Sequence, residues 1–231
     1  MKFLVLLPYY NRPRMVQQAL RSVELQTHSD YEIAFIDDAS EEPFRYINST
    51  NVSINYYRSE QTQENKERYG TASVHLMNKA VAESDADVVF ILCDDDALVP
   101  AYMENLNTWF KDNPNEVWCW SKSYAWDRTK DPDYQKALVG PYSTNGYAEI
   151  GDGRIAPARK VDASQVAWRR TAHVGFVQRP PGDGHFDSNF YDPMFRQHGL
   201  CPYSGFYSQY KGIHSLQADF HQDTQFSGAK E

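Results

Sequence analysis

Apolar residues in this chain come in short runs that end abruptly in polar or acidic clusters. Phe3 to Leu7 is continuously apolar, the pattern of a strand buried on both faces, and Pro8 is expected to stop it. Pro13 then suits the first position of a helix, whose apolar residues Val16, Ala19, Leu20 and Val23 fall on one face. Tyr31 to Ile36 reads as a second strand, ending in Asp37-Asp38-Ala39-Ser40, and Val52 to Tyr57 as a weaker third. A charged loop from Ser59 to Arg68 follows, broken at Gly70. Thr71 can cap a helix reaching about Ala82 that buries Ala72, His75 or Leu76, and Ala80.

The sharpest transition lies further on. Val88 to Leu92 is apolar and β-branched at its start, and it runs into Cys93-Asp94-Asp95-Asp96, as a buried strand delivering carboxylates to the edge of a sheet would. Pro100 suits the first position of a helix over Ala101 to Phe110, which Asn113-Pro114-Asn115 ends, and Val117 to Tyr124 is the next strand. Asp127 to Arg159 is long and irregular, of a kind that often carries substrate contacts. Val161 to Trp168 alternates as a strand, Arg179 to Gly184 is a flexible connection, and Asp187 can cap a helix to His198 that Gly199 terminates. Tyr203 to Tyr210 is a last strand, and Gln217 to Glu231 a polar tail. Strands alternating with helices predict an α/β fold, and right-handed crossovers would bring both acidic clusters to one rim. Ligands of open α/β sheets bind at that rim.

Composition narrows the function. The 231 residues suit one domain with its own core. A net charge of −8 argues against a nucleic-acid-binding face, which clustered Lys and Arg would build. No apolar run approaches a membrane span, and Met1 to Leu7 is too short for a secretion signal and lacks a cleavage site. Three cysteines, Cys93, Cys119 and Cys201, suggest reduced thiols and a cytoplasmic setting. Three adjacent carboxylates repel one another, which a hard divalent cation such as Mg2+ or Mn2+ would offset, and such ions commonly bridge to phosphates. The plain alternative is a solvated acidic turn before the helix at Pro100.

Taken in order, these motifs resemble the inverting glycosyltransferases of family 2, which adopt the GT-A fold. The residues that carry the likeness are Leu7-Pro8-Tyr9-Tyr10-Asn11-Arg12, Ile36-Asp37-Asp38-Ala39-Ser40, Gly70 with Asn78, Phe90 to Pro100, Val161 to Arg169, and Tyr210 to Ser215. The resemblance implies a single GT-A domain over 1–231, a Rossmann-like mixed sheet flanked by helices. Residues 1–100 would form the nucleotide-sugar-binding half, 101–216 the acceptor-binding half and 217–231 a tail. By likeness Pro8, Tyr10 and Arg12 border the nucleotide and Asp38 accepts hydrogen bonds from the base. Asp96 ligates Mn2+ or Mg2+ with Asp94, Asp94 or Asp95 reaches the ribose or a metal-bound water, and His214 completes the metal or diphosphate site.

The resemblance also implies a base that takes the proton of an acceptor hydroxyl. Asp187 is the first choice, with helix capping as its structural alternative, and Asp192 the second. The implied reaction moves a sugar, with inversion, from a UDP-, GDP- or dTDP-sugar to a glycan or other hydroxyl acceptor. Trp118, Trp120, Trp126 and Trp168 could face the acceptor, although Trp118 or Trp120 would then leave the core that their strand positions favour. The chain departs from the family at Cys93, which stands where the first acid is usual, and in lacking the usual Glu-Asp pair near Asp187. These departures keep a non-catalytic nucleotide-sugar or glycan binder open. A sugar nucleotidyltransferase would want a Gly-rich basic loop after the first strand, where Pro8-Tyr9-Tyr10-Asn11-Arg12 stands.

Overall fold

The structure, a computed structural model, describes residues 1–44, 53–60, 73–127, 141–142, 153–156, 161–177 and 186–213. The strands are β1 (Phe3–Tyr9), β2 (Tyr31–Asp37), β3 (Ser53–Arg58), β4 (Val88–Ile91), β5 (Asp96–Leu98), β6 (Trp118–Asp127), β7 (Pro141–Tyr142), β8 (Val166–Arg169) and β9 (Tyr203–Ile213). The helices are α1 (Pro13–Glu24), α2 (Ser73–Glu83), α3 (Tyr102–Asp112) and α4 (Phe186–His198). The nine strands of the described residues join one sheet in the order β3-β2-β1-β4-β8-β6-β9-β5, with β7 on β6. The first four run parallel, whereas β8 is antiparallel to both β4 and β6, and β5 is antiparallel to β9.

Alternation along the buried strands divides the core between the two faces. Leu4, Leu6, Val89 and Ile91 pack with Val74, Met77 and Ala80 of α2 and with Phe190, Tyr191 and Met194 of α4. Phe3, Val5, Leu7, Val88 and Phe90 pack with Val16, Ala19, Leu20 and Val23 of α1 and with Met103, Leu106 and Phe110 of α3. Successive residues of a strand point to opposite faces, so a fully apolar run requires helices on both. In α2, Leu76 is the buried alternative and His75 is exposed. Asn78 on the same helix ties down the segment after β8, donating through Nδ2 to Phe176 O at 2.9 Å and accepting from Phe176 N at 2.7 Å.

Four expectations are corrected. Pro8 does not stop β1, which continues to Tyr9 with Pro8 opposite Ile36. On its other side β1 pairs with β4 only as far as Leu6, whose carbonyl accepts from Leu92 N. A parallel strand points alternate residues to alternate neighbours, so Pro8 shares the side of Leu6. The N–H that proline lacks would have faced a position where β4 has already ended. The segment from Val161 to Trp168 is not one strand: Ala163–Gln165 is a 3-10 turn and β8 begins at Val166. Its cause is a capping box, with the Asp162 side chain accepting from Ser164 N and Gln165 Oε1 accepting from Asp162 N.

The acidic triplet does not lie wholly on a loop before a helix at Pro100. Asp96 opens β5, opposite Lys211 of β9, and α3 begins two residues after Pro100. Last, Trp168 is a core residue at 0% exposure, as are Trp118 and Trp120 at 1% each. None of these three rings can offer a face to an acceptor. The side chain of Trp126, and all of 214–231 with His214 and the tail, lie outside the described residues.

Candidate active site

The strand order 3-2-1-4 creates a switch point between β1 and β4, where connections leave in opposite directions and the carboxyl ends of the strands frame a crevice. The residues just beyond these two strands meet there. Arg12 Nη1 lies 2.9 Å from Asp94 Oδ1 and 3.2 Å from Asp95 Oδ2, and Tyr10 N donates to Asp94 Oδ2 at 3.2 Å. Pro13 at the start of α1 fixes where Arg12 leaves β1. Asp94 thus has one oxygen on a guanidinium and the other on a backbone amide, which turns it toward the β1 loop.

Asp94 is 7% exposed. Burial, with the neighbouring Asp95 charge, pushes its carboxyl up to about 6 although Arg12 favours the charged form. A carboxyl raised on folding adds stability that is complete below its ordinary range and is lost as pH rises through about 6. In chelator-treated protein, the stability of the wild type relative to Asp94→Asn is therefore expected to fall by about 2 kcal/mol between pH 4 and pH 7. Urea unfolding at the two pH values checks this, and a pH-independent difference would refute it.

Asp96 is 1% exposed and is held from behind. Ser164 Oγ lies 3.4 Å from Asp96 Oδ2 and 2.8 Å from Asp162 Oδ1, and Gln209 Nε2 donates to Ser164 Oγ. One hydroxyl carries one proton, and the shorter distance gives it to Asp162. Gln209 is fully buried and its Oε1 has no hydrogen-bond partner among the described residues. Sequence reading missed Ser164, Asp162 and Gln209. The Asp162-x-x-Gln165 capping box was a usable signal for the first two, but nothing in the sequence announces Gln209, which arrives on β9.

The other carboxylate cluster divides its labour. Asp37 is 0% exposed and accepts from Tyr56 Oη at 2.6 Å, from Arg58 Nη1 at 2.6 Å and from Ser40 N at 2.8 Å. It holds the loop rather than facing a ligand. Asp38 follows β2, is also buried, and donates its backbone N–H to Tyr9 O at 2.9 Å. Its charge reaches Tyr10, whose phenol is raised first by burial and then by Glu41 and Asp38. Asn11 N donates to Ser40 Oγ at 3.1 Å, which joins the loops after β1 and β2. Both loops turn through the left-handed region, at Asn11 with φ 50° and at Ala39 with φ 55°. Asparagine adopts that region readily, alanine at a cost of about 1–2 kcal/mol.

One donor set fits a divalent ion. Cys93, Asp95 and Asp96 each offer a ligand atom, and these atoms lie within 4.8 Å of one another. Donors on opposite sides of one ion are about 4.5 Å apart, so modest side-chain rotation brings the three onto it. Asp94, also expected as a ligand, lies outside this group, with its oxygens on Arg12 and the Tyr10 amide. Lys211 is opposite Asp96 in register. Asp187 falls in the first turn of α4 with its side chain outside the described residues, and Asp192 is half-buried further along the same helix.

Residues 4–174 match the model of the family described as "Glycosyl transferase family 2". The chain resembles the crystal structure of Staphylococcus aureus TarS 1–349 with a TM-score of 0.66 at 13% identity, covering 98% of this chain and 64% of that one. It also resembles the mannosyltransferase PcManGT from Pyrobaculum calidifontis in complex with GDP-Man and Mn2+, with a TM-score of 0.56 at 14% identity, covering 95% and 59%. At such identities the likeness is one of fold, the GT-A fold. An "Uncharacterized glycosyltransferase" of Haemophilus influenzae is 29% identical over 111 residues, which take in 48% of this chain but 35% of that relative. The shared fold accounts for the sheet order and for the crevice between β1 and β4, and the family match spans both acidic clusters that line it: the chain belongs to glycosyl transferase family 2.

Proposed function

We propose that this chain transfers a sugar from a nucleotide-sugar donor to a hydroxyl acceptor, with inversion and with the help of a divalent ion. The observation that carries the reading is the convergence of Arg12, Asp94, Asp95 and Asp96 at the β1/β4 switch point. S. aureus TarS was solved with UDP-GlcNAc, and PcManGT with GDP-Man and Mn2+, which supports a UDP-, GDP- or dTDP-sugar as donor here. Pro8, Tyr10 and Arg12 would border the nucleotide, Asp38 would accept from the base, and Asp94 or Asp95 would meet the ribose. Asp96, with Asp94 or with Cys93 and Asp95 beside it, would hold Mn2+ or Mg2+, and an ion there would supply Lewis acidity toward the departing diphosphate. His214 is proposed as a further ligand. Arg12 adds a fixed cation at the same edge, already desolvated on one side by the carboxylates it touches.

On the acceptor side, Asp187 or Asp192 takes the hydroxyl proton as oxygen attacks the anomeric carbon opposite the leaving nucleotide. The pair can be told apart: Asp187→Asn is expected to lower kcat by roughly a hundredfold or more, with donor affinity unchanged, and Asp192→Asn by less than about tenfold. The reverse pattern would move the base to Asp192. The whole reading is tested by incubating the protein with Mn2+ and a panel of nucleotide sugars, and following donor hydrolysis and transfer. No binding or turnover with any donor would overturn it.

A second reading, a non-catalytic nucleotide-sugar binder, is favoured by Cys93 in place of the first acid. Calorimetry showing nucleotide binding without transfer to any acceptor would establish it. We further propose that 1–231 is one domain with 217–231 as its tail, a reading supported by β5 from the first half pairing with β9 from the second. None of the cysteines forms a disulfide and no helix among the described residues is long and apolar enough to cross a membrane, which supports a reducing, cytoplasmic setting.

A further inference from the structure

We propose that Cys93 is a thiolate ligand of the divalent ion and that it tunes this site toward thiophilic ions such as Co2+ and Zn2+ over Mg2+. The proposal rests on the acidic cluster being a metal site and says which atoms make it so. Its first support is geometric, the Cys93 Sγ lying with a carboxylate oxygen from each of Asp95 and Asp96 inside one 4.8 Å cluster. A second, separate observation is the diversion of Asp94. With Oδ1 on Arg12 and Oδ2 on the Tyr10 amide, its carboxylate is turned toward the β1 loop and stands outside the cluster, in which the Cys93 sulfur is the third donor. Asp96 in turn packs against Ser164, which Asp162 and Gln209 hold in place, so the buried surroundings of this ligand are fixed from behind.

The three cysteines are not equivalent. Cys119 and Cys201 are 0% exposed, and burial raises both thiols above the usual range, which leaves them protonated and inert. Cys93 is half-buried at the end of the β4 run, beside Arg12. On binding, the S–H bond breaks, a sulfur–metal bond forms, and the proton leaves to the buffer. Carboxylate oxygens suit Mg2+ and Mn2+, whereas a thiolate is a soft ligand that favours ions later in the first-row series. A mixed set of one sulfur and two carboxylates therefore still accepts Mn2+ but loses the usual preference for Mg2+.

The test uses the full chain, without nucleotide, titrated with Co2+. The wild type is expected to develop a near-ultraviolet sulfur-to-cobalt charge-transfer band and to release one proton per ion. Cys93→Ser should abolish the band and weaken Co2+ binding at least about tenfold, with less than about threefold effect on Mg2+. Cys93→Asp, which restores an acid and guards against a folding defect in the serine variant, should also lack the band and bind Mg2+ more tightly than the wild type. Mn2+ occupancy, followed by electron paramagnetic resonance, reports binding independently of sulfur. Co2+ that displaces Mn2+ without producing the band, or a band that survives in Cys93→Ser, overturns the thiolate ligand and leaves the acidic site standing. Failure of Mn2+ and Co2+ to bind, with or without UDP or GDP, overturns the metal site and the proposal together.

Discussion

Asp96→Ala is expected to lower kcat/KM for sugar transfer by a thousandfold or more, on the order of 4 kcal/mol of lost transition-state stabilisation. The leaving diphosphate gathers negative charge as the anomeric bond breaks, and whatever neutralises that charge acts mainly in the transition state. Asp96 is suited to hold a neutralising cation because it is 1% exposed and packed against Ser164, so little side-chain entropy remains to be lost when the ion arrives. Asp95 is partly exposed and shares Arg12, so Asp95→Ala should cost less. Steady-state kinetics at saturating Mn2+, with the thermal midpoint measured alongside, checks the expectation. An Asp96→Ala enzyme that stays folded and within about tenfold of wild-type activity would remove this residue from the metal site.

Asp37→Ala is expected to destabilise the protein by about 3 kcal/mol, a fall of roughly 6–12 °C in Tm for a chain of this size. The fully buried carboxylate satisfies three donors at once, the Tyr56 hydroxyl, the Arg58 guanidinium and the Ser40 amide. Its removal leaves the Ser40 amide without its acceptor beneath the loop and Arg58 without its partner. Arg58 is about one-third exposed and still donates to Ser40 O at 2.7 Å, which keeps the cost at the low end for a broken buried pair. The loss should reach the ligand too. Ala39 is held at φ 55° between Asp38 and Ser40, and once the Asp37 to Ser40 bond is gone that strained turn can relax and carry Asp38 away from the crevice. Differential scanning calorimetry and nucleotide binding read the two effects, and a stability change under about 1 kcal/mol would show that Asp37 is not the anchor.

Asp37 and Asp38 show how far adjacent identical residues can diverge. In the sequence they are one carboxylate pair arriving at a rim. In the fold the first lies inside β2 and is consumed by the strand beside it, while the second stands past the strand end. The Asp94 to Asp96 triplet divides in the same manner among Arg12, the β1 loop, and the Ser164 and Gln209 pair. Cys93, which in the sequence was only a departure from the family pattern, turns out to sit among the carboxylates as a potential donor.

What the sequence by itself determined is the frame: parallel strands at Phe3, Tyr31 and Val88, the Pro13 helix between the first two, and both acidic clusters at one rim. Those features follow from local physics, because apolar runs demand burial on two faces, proline fixes a helix start, and crossovers have one hand. The tertiary structure alone decided what each carboxylate touches, and it moved Trp168 into the core, extended β1 through Pro8 and made Asp96 the first residue of a strand. The reason is that a side chain on a tight turn takes its direction from its partner, and here the partners stand 82 residues away at Arg12 and Asp94, and 68 away at Asp96 and Ser164. No periodicity within a single segment encodes a contact formed across that distance.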